Sequence, residues 1–363
     1  MEKQEVHRFG STLYPEMLED IDKAKNEIFL EYYIVKWDRI GKEFFRGLCR
    51  AAERGVEVKV IIDGFGSWNF PERAKKKMRD LGVELIHYNP VKLYKGIWKW
   101  ILRDHRKIMV VDGKKAYIGG MNIDRKHLKP CEQTDTPRNQ VIKDTHLEVE
   151  GKNTVVQIRN EFAKSWNAMK KEKELEIMDV KPEKTKILGG NIKTEDSILK
   201  EYVKKIRKAD KSIKLVHSYF VPQKIVRRSL YDAVDRGVDV ELITPAYFSE
   251  VRIARHATKN LYGELIGNGV EVYEYIDSFL HSKTCLIDDS WMTVGSMNLD
   301  FQGVLTNREI NLFTENKESV NKMKKGFEED LEKSVKITKK HLEERNWLEN
   351  QLNQFFYSFR SLY

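Results

Sequence analysis

Residues 105–124 read HRKIMVVDGKKAYIGGMNID, and residues 281–300 read HSKTCLIDDSWMTVGSMNLD. Both fit His-x-Lys-x4-Asp-x6-Gly-[Gly/Ser]-x-Asn. The second copy starts 176 residues after the first, close to half of the 363-residue chain. A lone His-x-Lys on a strand is usually surface decoration. A six-position pattern found twice at half-chain spacing marks a duplication instead. The blocks upstream keep the same order in each half. AAERGVEVKVIID (51–63) resembles DAVDRGVDVELIT (232–244), LGVELIHY (81–88) resembles NGVEVYEY (268–275), and EIFLEYYIV (27–35) resembles SIKLVHSYFV (212–221).

Each copy alternates helix and strand. Tyr14, Met17, Leu18, Ile21 and Ala24 form a helical stripe, and EIFLEYYIV follows as an apolar strand. Phe44, Phe45, Leu48, Ala51 and Ala52 predict a second helix, ended by Gly55 ahead of the strand VEVKVIID. Such alternation predicts an α/β fold with a largely buried sheet. A charged segment with one proline, KKEKELEIMDVKPEKTK (170–186), separates the copies. The expected domains are residues 1–180 and residues 181–363, the latter closing on a helix.

Side chains two apart on a strand share a face, so each His-x-Lys aims an imidazole and an ammonium at one site. His105, Lys107 and Asn122 form one set; His281, Lys283 and Asn298 form the other. Asp112-Gly113 and Asp288-Asp289 read as turns, which makes Asp112 and Asp288 supporting residues. Small residues come next, where backbone can approach a ligand closely: Gly120 is counted as supporting and Ser296 with the catalytic set. Two imidazoles, two ammoniums and two amides suit phosphodiester chemistry. One imidazole can attack phosphorus, and the other can protonate the leaving alkoxide and then deprotonate the incoming hydroxyl. Lysines and asparagines can stabilise the charge on the non-bridging oxygens. No cofactor is called for, and no metal-ligand cluster stands out.

Composition narrows the partner. Lys and Arg number 65 against 56 Asp and Glu, a net charge of +9, which favours anionic partners. No apolar run approaches the ~20 residues of a membrane span, and the first residues have no apolar signal-peptide core. With 40% hydrophobic residues the chain is expected to fold. Cys49, Cys131 and Cys285 are few, odd in number and widely spaced, which argues against a disulfide framework and for a reducing compartment. Cys285 is expected to be a buried strand thiol.

At the two motifs the chain resembles the phospholipase D superfamily, whose paired HKD motifs have this form. EYYIV (31–35), RDHRKIMVVDG (103–113), KDTHLEVEG (143–151), HSYFVP (217–222) and NREINL (307–312) look like bacterial cardiolipin synthases. The resemblance implies two duplicated phospholipase D-like α/β domains, arranged as a pseudo-twofold pair with the active site at their interface. It also implies a phosphohistidine intermediate and condensation of phosphatidylglycerol with a second phosphatidyl lipid. Within the family an acidic residue beyond each motif orients the histidine, and Asp144 and Glu309 occupy those places. Family analogy makes the first histidine the nucleophile, although the residues themselves treat the two alike.

The halves differ most between Asn89 and Asp104, where the first carries 11 extra residues, NPVKLYKGIWKWILRD overall. Tyr94, Trp98 and Trp100 there, mixed with lysines, suit contact with substrate or an anionic membrane surface. Leu348, Leu352, Phe355, Phe356, Phe359 and Leu362 form a second apolar stripe, at helical spacing. Residues 249–267 predict an amphipathic helix with Arg252, Arg255 and Lys259, basic side chains able to screen lipid phosphates; its His256 reads as a surface residue. The expected location is cytoplasmic, with peripheral attachment to the cell membrane. Two other readings compete: a hydrolase of phospholipid or nucleic acid, and a non-enzymatic anion binder. The aliphatic character of the insertion disfavours nucleic acid, and the matched His-Lys-Asn sets disfavour mere binding.

Overall fold

The computed structural model describes residues 2–90, 102–129, 137, 140–181, 184–190, 197–246 and 252–359. Tyr94, Trp98 and Trp100 lie outside these residues, as do Cys131 and Leu362.

The first half folds around seven strands: β1 (Lys3–His7), β2 (Glu27–Tyr32), β3 (Glu57–Asp63), β4 (Glu84–Tyr88), β5 (Lys107–Val111), β6 (Lys115–Gly119) and, after the short β7 (Ile142–Lys143), β8 (His146–Glu150). Their order is β1-β8-β6-β5-β2-β3-β4. β2, β3 and β4 run parallel, as helical crossovers require, and β2 pairs antiparallel with β5. The second half repeats the plan with β9 (Lys186–Gly190), β10 (Ser212–His217), β11 (Asp239–Pro245), β12 (Glu271–Tyr275), β14 (Lys283–Ile287), β15 (Trp291–Gly295) and β16 (Glu309–Thr314). One edge strand is added, β17 (Ser334–Ile337), and the sheet order is β17-β12-β11-β10-β14-β15-β16-β9. β13 (Phe279–Leu280) pairs in parallel with β7, tying the halves together in front of the second motif.

The expected helices form. Gly10–Lys23 buries Leu13, Tyr14, Met17 and Ile21, and Arg39–Glu53 buries Phe44, Leu48 and Ala51 before Gly55 reverses the chain at φ +87°. Both pack on the outer face of the first sheet; Ser197–Arg207 and Lys224–Asp235 do the same on the second. The inner faces share one core. Ile108, Ile118 and Leu147 of the first sheet meet Met292, Val294 and Ile310 of the second, with Phe162 and Trp166 of the helix Lys152–Lys170. The segment between the halves also packs: Leu175 enters this core and Glu174 pairs with Lys59 at 2.8 Å. The two halves therefore meet across a shared apolar core.

Two expectations about surface segments need restating. Lys259 is paired with Glu274 and Glu349 at 3.5 and 3.3 Å, so it is not a spare cation for lipid phosphates. His256 is not a bare surface residue: its Nδ1 lies 2.7 Å from Asn353 Oδ1. Cys285 is a buried strand thiol, and burial pushes its pKa up. No described helix is long and apolar enough to cross a membrane.

Candidate active site

The two hairpins β5–β6 and β14–β15 place their leading histidines side by side at the seam. Each histidine is anchored by its backbone to the opposite half. His105 N–H donates to Arg308 O at 3.0 Å, and His281 N–H donates to Lys143 O at 2.7 Å. The residue after each acceptor is an acid: Glu309 and Asp144. The carboxylates are thereby crossed. Glu309 lies 2.9 and 3.1 Å from His105 Nδ1, and Asp144 lies 2.6 Å from His281 Nδ1. With Nδ1 so engaged, Nε2 of each ring is the atom left for chemistry.

Duplication explains the symmetry. Gly119 pairs with His146 and Gly295 with Asn311, so Asp144 and Glu309 stand two residues before equivalent strand positions. Gly120 N–H donates to Thr145 O, and Ser296 N–H donates to Ile310 O, both at 2.9 Å. A Cβ at Gly120 would lie 2.3 Å from Asp144 Oδ1, so only glycine lets this carboxylate approach. Ser296 departs from its expected place. It does not line the cavity; its hydroxyl donates to Glu309, because a buried carboxylate needs donors and the strand pairing sets this one beside it. Its role is to position Glu309.

The lysines also differ from expectation. Lys107 and Lys283 are fully buried, and each ammonium donates back to the carbonyl of the histidine two residues earlier. A buried ammonium must be hydrogen-bonded, and that carbonyl is within reach. Lys283 Nζ also lies 3.0 Å from His281 Nε2, and Lys107 Nζ sits 5.1 Å from the Tyr33 ring centroid. Asn122 and Asn298 face the cavity. Their Oδ1 atoms accept from Ile34 N–H and the Ser218 hydroxyl, both at 3.3 Å, which turns each Nδ2 donor toward the site. Asp112 and Asp288 lie elsewhere. Each accepts from three successive backbone N–H groups, of Lys25, Asn26 and Glu27 or of Asp210, Lys211 and Ser212. They hold turns in which they themselves adopt φ of +52° and +53°.

The cavity has a volume of about 690 Å³ and is lined by both histidines and both asparagines. Several lining residues were missed by sequence reasoning. Tyr33 and Tyr219 set their rings edge-on to His105 and His281, at 4.9 and 6.3 Å. EYYIV and HSYFVP carried that signal. His127 accepts from Asn122 N–H at 3.3 Å on Nε2, while its buried Nδ1 has no hydrogen-bond partner among the described residues. Phe65, Trp68 and Arg103 form part of the rim.

Geometry is symmetric but electrostatics are not. Burial resists ionisation of Asp144, but Lys283 and His281 outweigh it and hold the carboxyl at about 2. Burial lifts Glu309 to about 8 against the pull of Lys107 and Ser296. Burial, with Lys107 and Lys283 adding to it, pushes His105 well below the ordinary imidazole value. His281 is lowered by burial and by Lys283, with Asp144 opposing. Burial brings Lys107 down to about 7 and Lys283 to about 8, each against nearby carboxylates. Among the described residues no group of His, Cys, Asp and Glu is arranged to hold a metal ion.

The chain is similar to known proteins. The family model for the cardiolipin synthase PLD-like domain matches residues 17–166 and 202–331. Cardiolipin synthase 1 of Staphylococcus aureus is 32% identical over 351 residues, covering 93% of this chain and 69% of that protein. A probable cardiolipin synthase of Bacillus subtilis is 29% identical over 343 residues, covering 92% and 67%. Among solved structures, a phosphatidylserine synthase of Haemophilus influenzae matches in fold with a TM-score of 0.73 at 14% identity, covering 99% of this chain and 93% of that one. With more than three quarters of its residues inside the family model and both motifs on one cavity, the chain belongs to the cardiolipin synthase family of phospholipase D-like domains.

Proposed function

We propose that this chain is a phosphatidyl transferase that converts two phosphatidylglycerol molecules to cardiolipin and glycerol. The observation that carries the reading is the crossed pair: two imidazoles on one cavity, each backed at Nδ1 by a carboxylate of the opposite half. Its relatives' names supply the lipid class.

His105 is the nucleophile: burial and two lysines favour its neutral ring, whereas Asp144 opposes the same shift at His281. Its Nε2 attacks phosphorus, forming a P–N bond while the P–O bond to glycerol breaks. His281 gives its proton to the departing glycerol oxygen. Asp144, ionised throughout the physiological range, stabilises the imidazolium from which that proton comes. The hydroxyl of a second phosphatidylglycerol then loses its proton to His281 and attacks phosphorus, and His105 leaves. Asn122, Asn298 and the two ammoniums offset charge on the non-bridging oxygens. The acceptor hydroxyl belongs to a lipid in this reading, and the enzyme works attached peripherally to the cytoplasmic face of the membrane.

Detergent-solubilised protein incubated with labelled phosphatidylglycerol and EDTA tests the reaction. Cardiolipin with free glycerol supports it. Phosphatidic acid alone makes the enzyme a hydrolase, and cleavage of single-stranded DNA without lipid product overturns the lipid assignment.

A further inference from the structure

We propose that the rim of the catalytic cavity is a bilayer-docking face, formed by two separate apolar patches that flank the opening. The proposal rests on the lipid-transfer reading above and adds where, and with which residues, the enzyme meets the membrane.

The first patch is the turn after β3. Phe65 is 49% exposed and Trp68 is 73% exposed, yet both line the cavity. The turn beneath them is not loose. Buried Asp63 accepts from Phe65 N–H at 2.8 Å and Gly66 N–H at 3.0 Å, while the Ser67 hydroxyl donates to Tyr33 O at 3.0 Å and accepts from Val35 N–H at 2.9 Å. A Cβ on Gly66 would lie 2.4 Å from Tyr33 O. Polar side chains of the turn are spent inward, and the two aromatic ones are held outward.

The second patch is the outer face of the helix Trp347–Ser358 and its cap Phe359. Leu348, Leu352, Phe355 and Phe359 recur at spacings of four, three and four, one stripe, and are 60%, 38%, 56% and 42% exposed. The adjoining stripe packs inward and is largely polar: Glu349 pairs with Lys259 at 3.3 Å and Asn353 with His256 at 2.7 Å, while Phe356 stacks on His256. This is the reverse of the pattern of a helix whose only partner is its own protein. Ala254 lines the cavity from the helix Arg252–Gly267, whose His256 and Lys259 hold the C-terminal helix, so one helix joins the patch to the cavity wall.

Charge selects the occupant. Lys36 also lines the cavity, whereas Arg103 is buried against Asp63, and the chain carries +9 overall. Trp and Phe beside cationic side chains suit the headgroup region of an anionic bilayer. Docked this way, the opening faces the membrane, and a phosphatidylglycerol can enter with its acyl chains still in lipid.

The test is co-sedimentation with vesicles of phosphatidylglycerol and phosphatidylcholine. It compares the wild type with Phe65→Ser/Trp68→Ser and with Leu352→Ser/Phe355→Ser, each checked by its thermal midpoint to be folded. The expected result is vesicle binding by the wild type and a partition coefficient reduced about tenfold or more in each pair. Wild-type partition in both folded variants, or no binding by the wild type, overturns the docking face. Product formation by the wild type in detergent micelles is measured in parallel. Failure there overturns the transferase reading, whereas vesicle partition judges the docking face alone.

Discussion

Glu309, from the second half of the chain, holds His105, from the first, with both carboxylate oxygens within 3.1 Å of Nδ1. Asp144 repeats the contact in the opposite direction on His281. Neither half has a complete acid–base unit of its own. The seam between the halves is therefore part of the proposed chemistry, and it is fixed by backbone bonds to the residues just before each acid.

Neutralising either carboxyl should lower turnover. Asp144→Asn keeps shape but loses the anion that stabilises the His281 imidazolium, and Glu309→Gln loses one of the two oxygens that hold His105 Nδ1. The expected loss in kcat is about 10²- to 10⁴-fold, with KM little changed. Steady-state kinetics in mixed micelles checks this; a loss confined to KM would place these acids in substrate binding.

Asp144→Asn should also move a pH limb. As general acid His281 must carry a proton, and ionised Asp144 raises its affinity for one. Without that charge the pKa of His281 falls, so the alkaline decline of kcat should begin at lower pH than in the wild type. An alkaline limb that stays in place would assign the acid role to another group.

Asp112 and Asp288 should matter for stability only. Each Asp→Ala change loses backbone hydrogen bonds and puts alanine at positive φ, a cost of about 2–3 kcal/mol and several degrees of thermal midpoint. Turnover below the midpoint should remain within about twofold of wild type. Differential scanning calorimetry beside the lipid assay separates the two effects.

Three buried histidines should weaken the fold in acid. Burial holds His127, His146 and His217 down at about 3, whereas in the unfolded chain they titrate near 6.5. Between those values the unfolded state binds more protons, so their contribution to stability is complete above about pH 6.5 and falls as pH drops toward 3. Glu309, raised to about 8, and Asp300, raised to about 7, act in the opposite direction as pH falls. Asp144 adds to the loss only below about pH 4. The test therefore compares variants: between pH 7.5 and 5 the thermal midpoint of His146→Gln should fall less, or rise more, than that of the wild type; equal changes would mean that this histidine is not neutral and buried.

Much of this was legible in the sequence because duplication repeats its signals. Two His-x-Lys strands at matching positions reveal both hairpins, and periodicity finds Gly10–Lys23 and Arg39–Glu53. Asp144 and Glu309 came from family resemblance, but which histidine each would hold did not. That depends on β7–β13 pairing and on the Arg308 and Lys143 carbonyls, long-range contacts with no local signature. The sequence marks Ser296 only as a small residue where backbone can approach a ligand; the folded sheet shows its hydroxyl turned to Glu309. Phe65 and Trp68 escaped notice because a short turn has no periodicity, and their exposure follows from the inward bonds of Asp63 and Ser67.

The most direct test traps the covalent intermediate. Acyl-labelled phosphatidylglycerol is mixed with wild type and with His281→Ala, quenched rapidly in alkali, digested and mapped by mass spectrometry. The account predicts a phosphatidyl adduct on His105 in the wild type, absent from His105→Ala; in His281→Ala it both forms and decays slowly, because the glycerol leaves unprotonated and the acceptor hydroxyl keeps its proton. An adduct on His281, or cardiolipin formation undiminished in His105→Ala, would contradict it.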